Sequence, residues 1–194
     1  KMAKYINSSV HGDGSGFTMP ASAAQVLNSV ISKFGGDVTL KFGDSMMQAS
    51  GDGYVLVARL CEGKYPPYDR LLAAETTSSA VIDRLSVISS IDRMFSTGGS
   101  DGGGIALLFS EGNLGIRMDN TMLGKSSYDE IPCEYKGSTL RICVNGRFLS
   151  YMLSSLDCDY VEVKMSGEEK PMIIEPYDYE GDVSLVSLIM PMRI

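Results

Sequence analysis

The sequence predicts an α+β fold in which a β-α-β-β-β unit occurs three times, with the helices on one face of antiparallel sheets. Three observations lead there. Apolar residues fall at helical spacing in three stretches. Each stretch is followed by strands of alternating character, broken by tight-turn signals. Successive units begin about 55 to 65 residues apart, the sign of quasi-equivalent modules packed side by side.

The first helix is predicted over Ala21–Phe34, "ASAAQVLNSVISKF", where Ala23, Val26, Leu27, Val30, Ile31 and Phe34 share a stripe and Pro20 supplies a start signal. The second is predicted over Ser78–Phe95, with Val81, Leu85, Ile88 and Ile91 on one side. The third runs from Asn145, a good N-cap residue, to Asp157 and carries Phe148, Leu149, Met152, Leu153 and Leu156. A strand is expected before each helix, in "GFTMP", "RLLAAE" and "STLRICVN". After the helices come strand runs whose hairpins are marked by Gly43-Asp44, Gly51-Asp52-Gly53, Glu111-Gly112-Asn113 and Gly167-Glu168-Glu169.

Composition narrows the function. With 194 residues, 44% of them hydrophobic, the chain can bury a substantial core. Its longest apolar runs are too short to cross a bilayer, and no signal-peptide pattern opens it. Cys61, Cys133, Cys143 and Cys158 form no CxxC pair and read as free thiols in a reducing cytoplasm. A net charge of −7 excludes a protein that coats nucleic acid with its whole surface, but is compatible with one basic face on an acidic body. The start at Lys1 reads as a fragment or processed product.

Catalytic constellations are weak. The single histidine, His11, sits in the Gly-rich "VHGDGSG" and has no nucleophile partner in the pattern. "GGSDGGG" (Gly98–Gly104) and "GKS" (Gly124–Ser126) lack phosphate-loop spacing and read as turns. Asp178, Glu180 and Asp182, with Asp157 and Asp159, match no calcium-loop pattern, so no metal and no cofactor is expected. Met46-Met47 and the terminal Met190 and Met192 suit either core filling or a surface that accepts varied partners.

Two motifs carry a resemblance. Gly63, Lys64, Tyr65, Pro66, Tyr68 and Arg70 fit G-[KR]-[FY]-P-x-Y-x-[RK], and Met190, Pro191, Met192, Arg193 and Ile194 fit M-P-[MIV]-[RK]-[LI]. With "NGRFLSYMLSSLDCDYVEVKM" between them, they make the chain resemble the bacterial sliding clamp family, the beta subunit of DNA polymerase III. The resemblance implies the DNA-clamp fold. Residues 1–70 would be the second half of the middle domain with its connecting segment, and residues 71–194 the third domain.

It further implies a non-catalytic processivity factor in the cytoplasm, whose full-length subunits pair as a ring around double-stranded DNA. Partners implied are DNA polymerase III and other clamp-binding proteins through short peptides, and the clamp loader. The peptide pocket would be walled by Met2, Pro66, Arg70, Leu71, Leu188, Met190, Pro191, Met192, Arg193 and Ile194. Asp69 stands where family members often carry a basic or polar residue. DNA-facing candidates are Lys33, Arg84, Arg93 and Arg147, and Val87 and Ile88 fall near the family's subunit contact. Without a first domain this chain is not expected to close the usual two-subunit ring. The alternatives are a stand-alone clamp-like peptide-binding module that does not encircle DNA, and an enzyme on an unrelated α+β fold.

Overall fold

A computed structural model describes residues 1–8, 16–63, 65–73, 75–98, 103–178 and 183–193. His11, Lys64, Tyr179, Glu180, Asp182, Ile194 and residues 99–102 of the Gly98–Gly104 run therefore lie outside the described residues. The elements in chain order are β1 (Met2–Asn7), α1 (Ala21–Phe34), β2 (Thr39–Phe42), β3 (Met46–Gly51), β4 (Tyr54–Arg59), α2 (Asp69–Leu72), β5 (Ser78–Asp83) and α3 (Arg84–Gly98). They continue with β6 (Gly104–Ser110), β7 (Asn113–Asn120), β8 (Lys125–Lys136), β9 (Leu140–Asn145), α4 (Gly146–Ser154), β10 (Tyr160–Met165), β11 (Met172–Pro176) and β12 (Val183–Ile189). Packing groups the chain differently from the expected 1–70 and 71–194 division. One unit is Lys1–Val10 with Tyr68–Ile194, and the other is His11–Pro67.

The smaller unit lays α1 beside the antiparallel sheet β2-β3-β4. Register puts Phe42 and Ala58 opposite Met47, and Leu40 and Leu56 opposite Ala49, so these side chains share one face. Met47, Ala49 and Leu60 are buried there, with Met19, Leu27 and Val38 packed against them. The helix has no buried residue, and Val26, Phe34, Leu40 and Phe42 remain exposed. The strand expected at Gly16–Pro20 is not formed. That segment is irregular and is held by the Cys61 amide donating to the Thr18 carbonyl at 2.8 Å.

The larger unit is a nine-stranded sheet of order β1-β12-β11-β10-β5-β8-β7-β6-β9, with every neighbouring pair antiparallel. Two halves, β5-α3-β6-β7-β8 and β9-α4-β10-β11-β12, repeat the same pairings. β6 pairs with β7 as β10 pairs with β11, β7 with β8 as β11 with β12, and β5 with β10 as β9 with β6. The equivalent of the β5–β8 pairing would join β9 to the chain after β12. There the Met192 amide donates to the Cys143 carbonyl at 2.8 Å. Both halves share a Pro-marked switch. β8 pairs with β7 up to Pro132 and with β5 from Cys133 onward, whereas β12 pairs with β11 up to Ile189 and, past Pro191, meets β9. Proline suits such a point because it has no amide to offer a ladder.

The core lies between this sheet and the helices α3 and α4. Ile105, Leu107, Phe109, Ile116, Ile142 and Leu153 are all buried in it. The second helix is shorter than predicted. Ser78–Asp83 is strand β5, with Ala80 and Ile82 buried and their neighbours half-exposed, and "RLLAAE" holds the short helix α2 in place of a strand. Asp83 ends β5 and caps α3, its Oδ1 accepting from the Ser86 amide at 2.6 Å. The later start rotates the buried stripe to Val87, Ile91 and Met94 and leaves Leu85 54% exposed. Asn145 caps α4 as expected, accepting from the Phe148 amide at 3.0 Å.

Candidate functional site

The site grows from the end of β12. Leu188 sits opposite both Met2 of β1 and Ile173 of β11, and Ile189 sits opposite Met172. Leu188 and Ile189 are both buried. Beyond them the strand stops. Met190 is 46% exposed, Pro191 and Met192 are half-buried, and Arg193 is exposed. The Met192–Cys143 bond ties this tail to the end of β9, from which the chain turns through Asn145 into α4. On that helix Phe148 and Tyr151 are exposed, and the Lys1 ammonium stands 4.2 Å from the Phe148 ring centre and 5.0 Å from that of Tyr151. Lys1-Met2, Cys143–Phe148 and Met190–Arg193 thus meet at one end of the sheet, offering thioethers, a proline and an aromatic ring to solvent. Glu168, Glu169, Pro191, Met192 and Arg193 line a hollow of about 260 Å³, and Arg193 Nη2 lies 3.1 Å from Glu169 Oε1.

α2 is tied to the same edge. Lys4 of β1 reaches Asp69 at 3.6 Å and stands 5.3 Å from the Tyr68 ring centre. Asp69 thus has a partner on β1, while Arg70 and Leu71 stay exposed beside it. Of the predicted pocket residues, Met2, Leu188 and Met190–Arg193 come together directly, and Arg70 and Leu71 lie on the helix that Lys4 holds. Pro66 belongs to the smaller unit and is exposed there. Phe148 and Glu169 escaped sequence reasoning as site residues. An aromatic on the outward side of α4 was the available signal for the first; nothing local marks the second.

The four basic candidates differ in what they touch. Arg84 is half-buried, and its Nε donates to the Cys158 carbonyl at 2.5 Å and its Nη1 to the Leu153 carbonyl at 3.3 Å. It binds the last turn of α4 and the segment that leads on to β10. Arg93 pairs with Asp129 of β8; that guanidinium, followed by the Ser90 hydroxyl, holds the Asp129 carboxyl below the usual range. Arg147 lies 4.7 Å from the Phe95 ring centre, and Lys33, near the end of α1, lies 5.5 Å from that of Phe34. Val87 is fully buried in the core and Ile88 packs partly against it, so Val87 presents no side-chain surface to a second subunit. The exposed features nearby are Leu85 and the edge of β8. Because the Cys133 amide donates toward β7, strand alternation aims the backbone groups of Ser126, Tyr128 and Glu130 away from it. No strand pairs with that stretch among the described residues, although β1 covers the equivalent edge of β12.

Among the described residues no side-chain grouping resembles a reaction centre. Among the described residues no three His, Cys, Asp or Glu side chains are grouped to hold a metal, and burial pushes the Cys133 and Cys158 thiols up, away from the reactive thiolate. No helix among the described residues is long and apolar enough to cross a membrane.

Residues 69–193 match the family model described as DNA polymerase III beta subunit, C-terminal domain. The chain belongs to the DNA polymerase III beta subunit family. Among curated relatives, the beta sliding clamp of Staphylococcus aureus is 28% identical over 177 residues, 90% of this chain and 46% of the relative. That of Synechococcus elongatus is 26% identical over 183 residues, 91% and 47% of the two chains. The chain spans about half the length of these beta subunits. Solved sliding clamps agree in fold. One from Bartonella birtlesii has a TM-score of 0.82 at 23% identity, covering 93% of this chain and 48% of its own. One from Pseudomonas aeruginosa has a TM-score of 0.79 at 24%, covering 91% and 47%. The expected clamp fold is thereby met, and the match to the family's C-terminal domain falls on the unit that carries the tail site.

Proposed function

We propose that this chain is part of a sliding clamp, a processivity factor with no reaction of its own, and that the surface around Met190–Arg193 docks short peptides of DNA polymerase III and other clamp-binding proteins. One observation carries the reading: in a beta subunit family member, an apolar tail released from the sheet at Pro191 is pinned beside Phe148 and Met2 with its thioethers half-exposed. Flexible thioethers and an exposed ring suit a Leu or Phe anchor, and arginines at 70 and 193 suit the polar ends of a peptide. Arg70 and Leu71 of α2 would extend the wall. The clamp loader would reach the protein through the same surface.

Double-stranded DNA would be held without sequence preference by scattered cations on the helices, in keeping with a chain that is acidic overall. Lys33, Arg93 and Arg147 suit that role better than Arg84, whose guanidinium is engaged by α4. The open edge of β8 at Ser126–Glu130 would receive a strand of a neighbouring subunit, as β12 receives β1. A clamp acting on chromosomal DNA works in the bacterial cytoplasm.

Titration of a labelled Gln-Leu-x-Leu-Phe peptide tests the pocket. Saturable binding, weakened tenfold or more by Met190→Ala or by deleting residues 190–194, is expected. A chain that ignores the peptide, or binds it equally well after the deletion, refutes the assignment. Retention on closed circular but not linear DNA separates encirclement from a module that only binds peptides.

A further inference from the structure

The turn between β10 and β11 brings two carboxylates to the tail. Gly167, at φ +148°, opens it, and the Lys170 amide closes it on the Gly167 carbonyl at 3.3 Å. A side chain at 167 would meet the Lys170 stem, which lies back over the glycine. Because Met172 of β11 is registered opposite Ile189 of β12, the turn tip rises where the chain leaves the sheet at Met190. Glu168 and Glu169 there form one wall of the hollow whose other wall is Pro191, Met192 and Arg193.

The Arg193–Glu169 pair does little for stability. Its side chains are 92% and 77% exposed, and an ion pair so covered by water gains little over its hydrated partners. Such a pair exchanges partners readily. Glu168 is also exposed and has no ion-pair partner among the described residues. Within the hollow itself a ligand lying along Met190–Met192 therefore meets two carboxylates against one guanidinium that is already engaged, Lys1 and Arg70 not being among its lining residues.

We propose that Glu168 and Glu169 set the charge preference of the docking site: it favours peptides with a Lys or Arg beside the apolar anchor and disfavours Asp or Glu there. The inference rests on the docking reading above and names the class of partner that the site selects. A basic side chain pairs with Glu168 without disturbing Arg193. An acidic one must displace Glu169 from Arg193 and remain beside both displaced carboxylates.

Three labelled peptides, identical but for Lys, Gln or Glu next to the Leu-Phe anchor, provide the test. One exposed pair changes an equilibrium roughly 1.4- to 5-fold, and exchanging Lys for Glu removes one favourable pair and adds one unfavourable one, so Kd should change by about two- to 25-fold at low salt. The preference should shrink at ~0.5 M salt, where screening is short-ranged. In Glu168→Gln/Glu169→Gln the preference for Lys should be lost or turn toward Glu, because Arg193 is then free, and in Glu169→Arg it should reverse. Equal binding of the three peptides, or a preference that survives the double Gln variant, overturns the inference and leaves the docking site standing. Failure of all three to bind removes the docking site, and the inference with it.

Discussion

Replacing Arg84 with Met separates two roles for one residue. As the first residue of α3, its charge faces the positive end of that helix dipole, a placement that costs about 0.3–1 kcal/mol. Against this stand two charge-assisted hydrogen bonds, one at 2.5 Å to the Cys158 carbonyl in the segment between α4 and β10 and one at 3.3 Å to the Leu153 carbonyl in the last turn of α4. Bonds to charged donors contribute about 1.5–3 kcal/mol each, and the longer of these belongs at or below the low end. The net loss on Arg84→Met is then about 2–3 kcal/mol, roughly a 30- to 150-fold change in the folding equilibrium. Lysine, a point donor without the planar fork, should recover at most half. Hydrogen exchange of the β6 and β9 amides in increasing urea reads the larger unit alone, because those strands lie in its core. If Arg84→Met leaves that stability within 0.5 kcal/mol of the parent while weakening retention on DNA, the capping argument is wrong and Arg84 belongs with the DNA-facing cations.

Gly137 sits at φ +151°, and a Cβ there would fall 2.4 Å from the Ser78 Cβ, so Gly137→Ala must displace β5 or the turn into β9; a loss of about 2–4 kcal/mol in urea unfolding is expected. Asn145→Ala removes the α4 cap and should cost about 0.5–2 kcal/mol, with Asn145→Asp close to neutral in the same assay. The Asp129 carboxyl titrates below its unfolded value, so its contribution to stability is present above the unfolded pKa and is lost as pH falls through the folded one. In Arg93→Met the Asp129 ¹³C titration midpoint should rise toward the ordinary carboxylate range, and the stability difference from the parent should vanish in acid. A midpoint that stays put would show that Arg93 is not the main cause.

The sequence was legible where one period ran uninterrupted. α1 begins and ends at the residues its apolar spacing marks. It misled at Ser78–Asp83, where the alternation of Ala80 and Ile82 continues into the helical stripe of α3 and only Asp83, with Ser86 three residues on, marks the change. That error carried Leu85 inward and Val87 toward the surface. β8 went unread because half its length is an open edge bearing Lys125, Asp129 and Glu130, residues that protect an edge and obscure a strand pattern. The tail motif was plain in Met190–Arg193. Phe148 and Glu169 were not, since their place beside the tail depends on sheet closure between segments about 20 to 45 residues upstream, and local periodicity carries no signal of that.

The pairing of β1 with β12 also orders events in time. Residues Met2–Asn7 wait for partners at Val183–Leu188, with the whole smaller unit encoded between β1 and the rest of its own sheet. During synthesis residues 11–67 leave the ribosome while β1 is the one strand of the larger sheet yet made. Within this sheet β1 is thus made before its neighbours and is seated only after β12 has emerged. Contacts of such long sequence separation form slowly, and until then β1 is an unpaired strand in need of shelter. Ribosome-bound chains stalled before β12 should expose it to a chaperone, and chains released past Met192 should not.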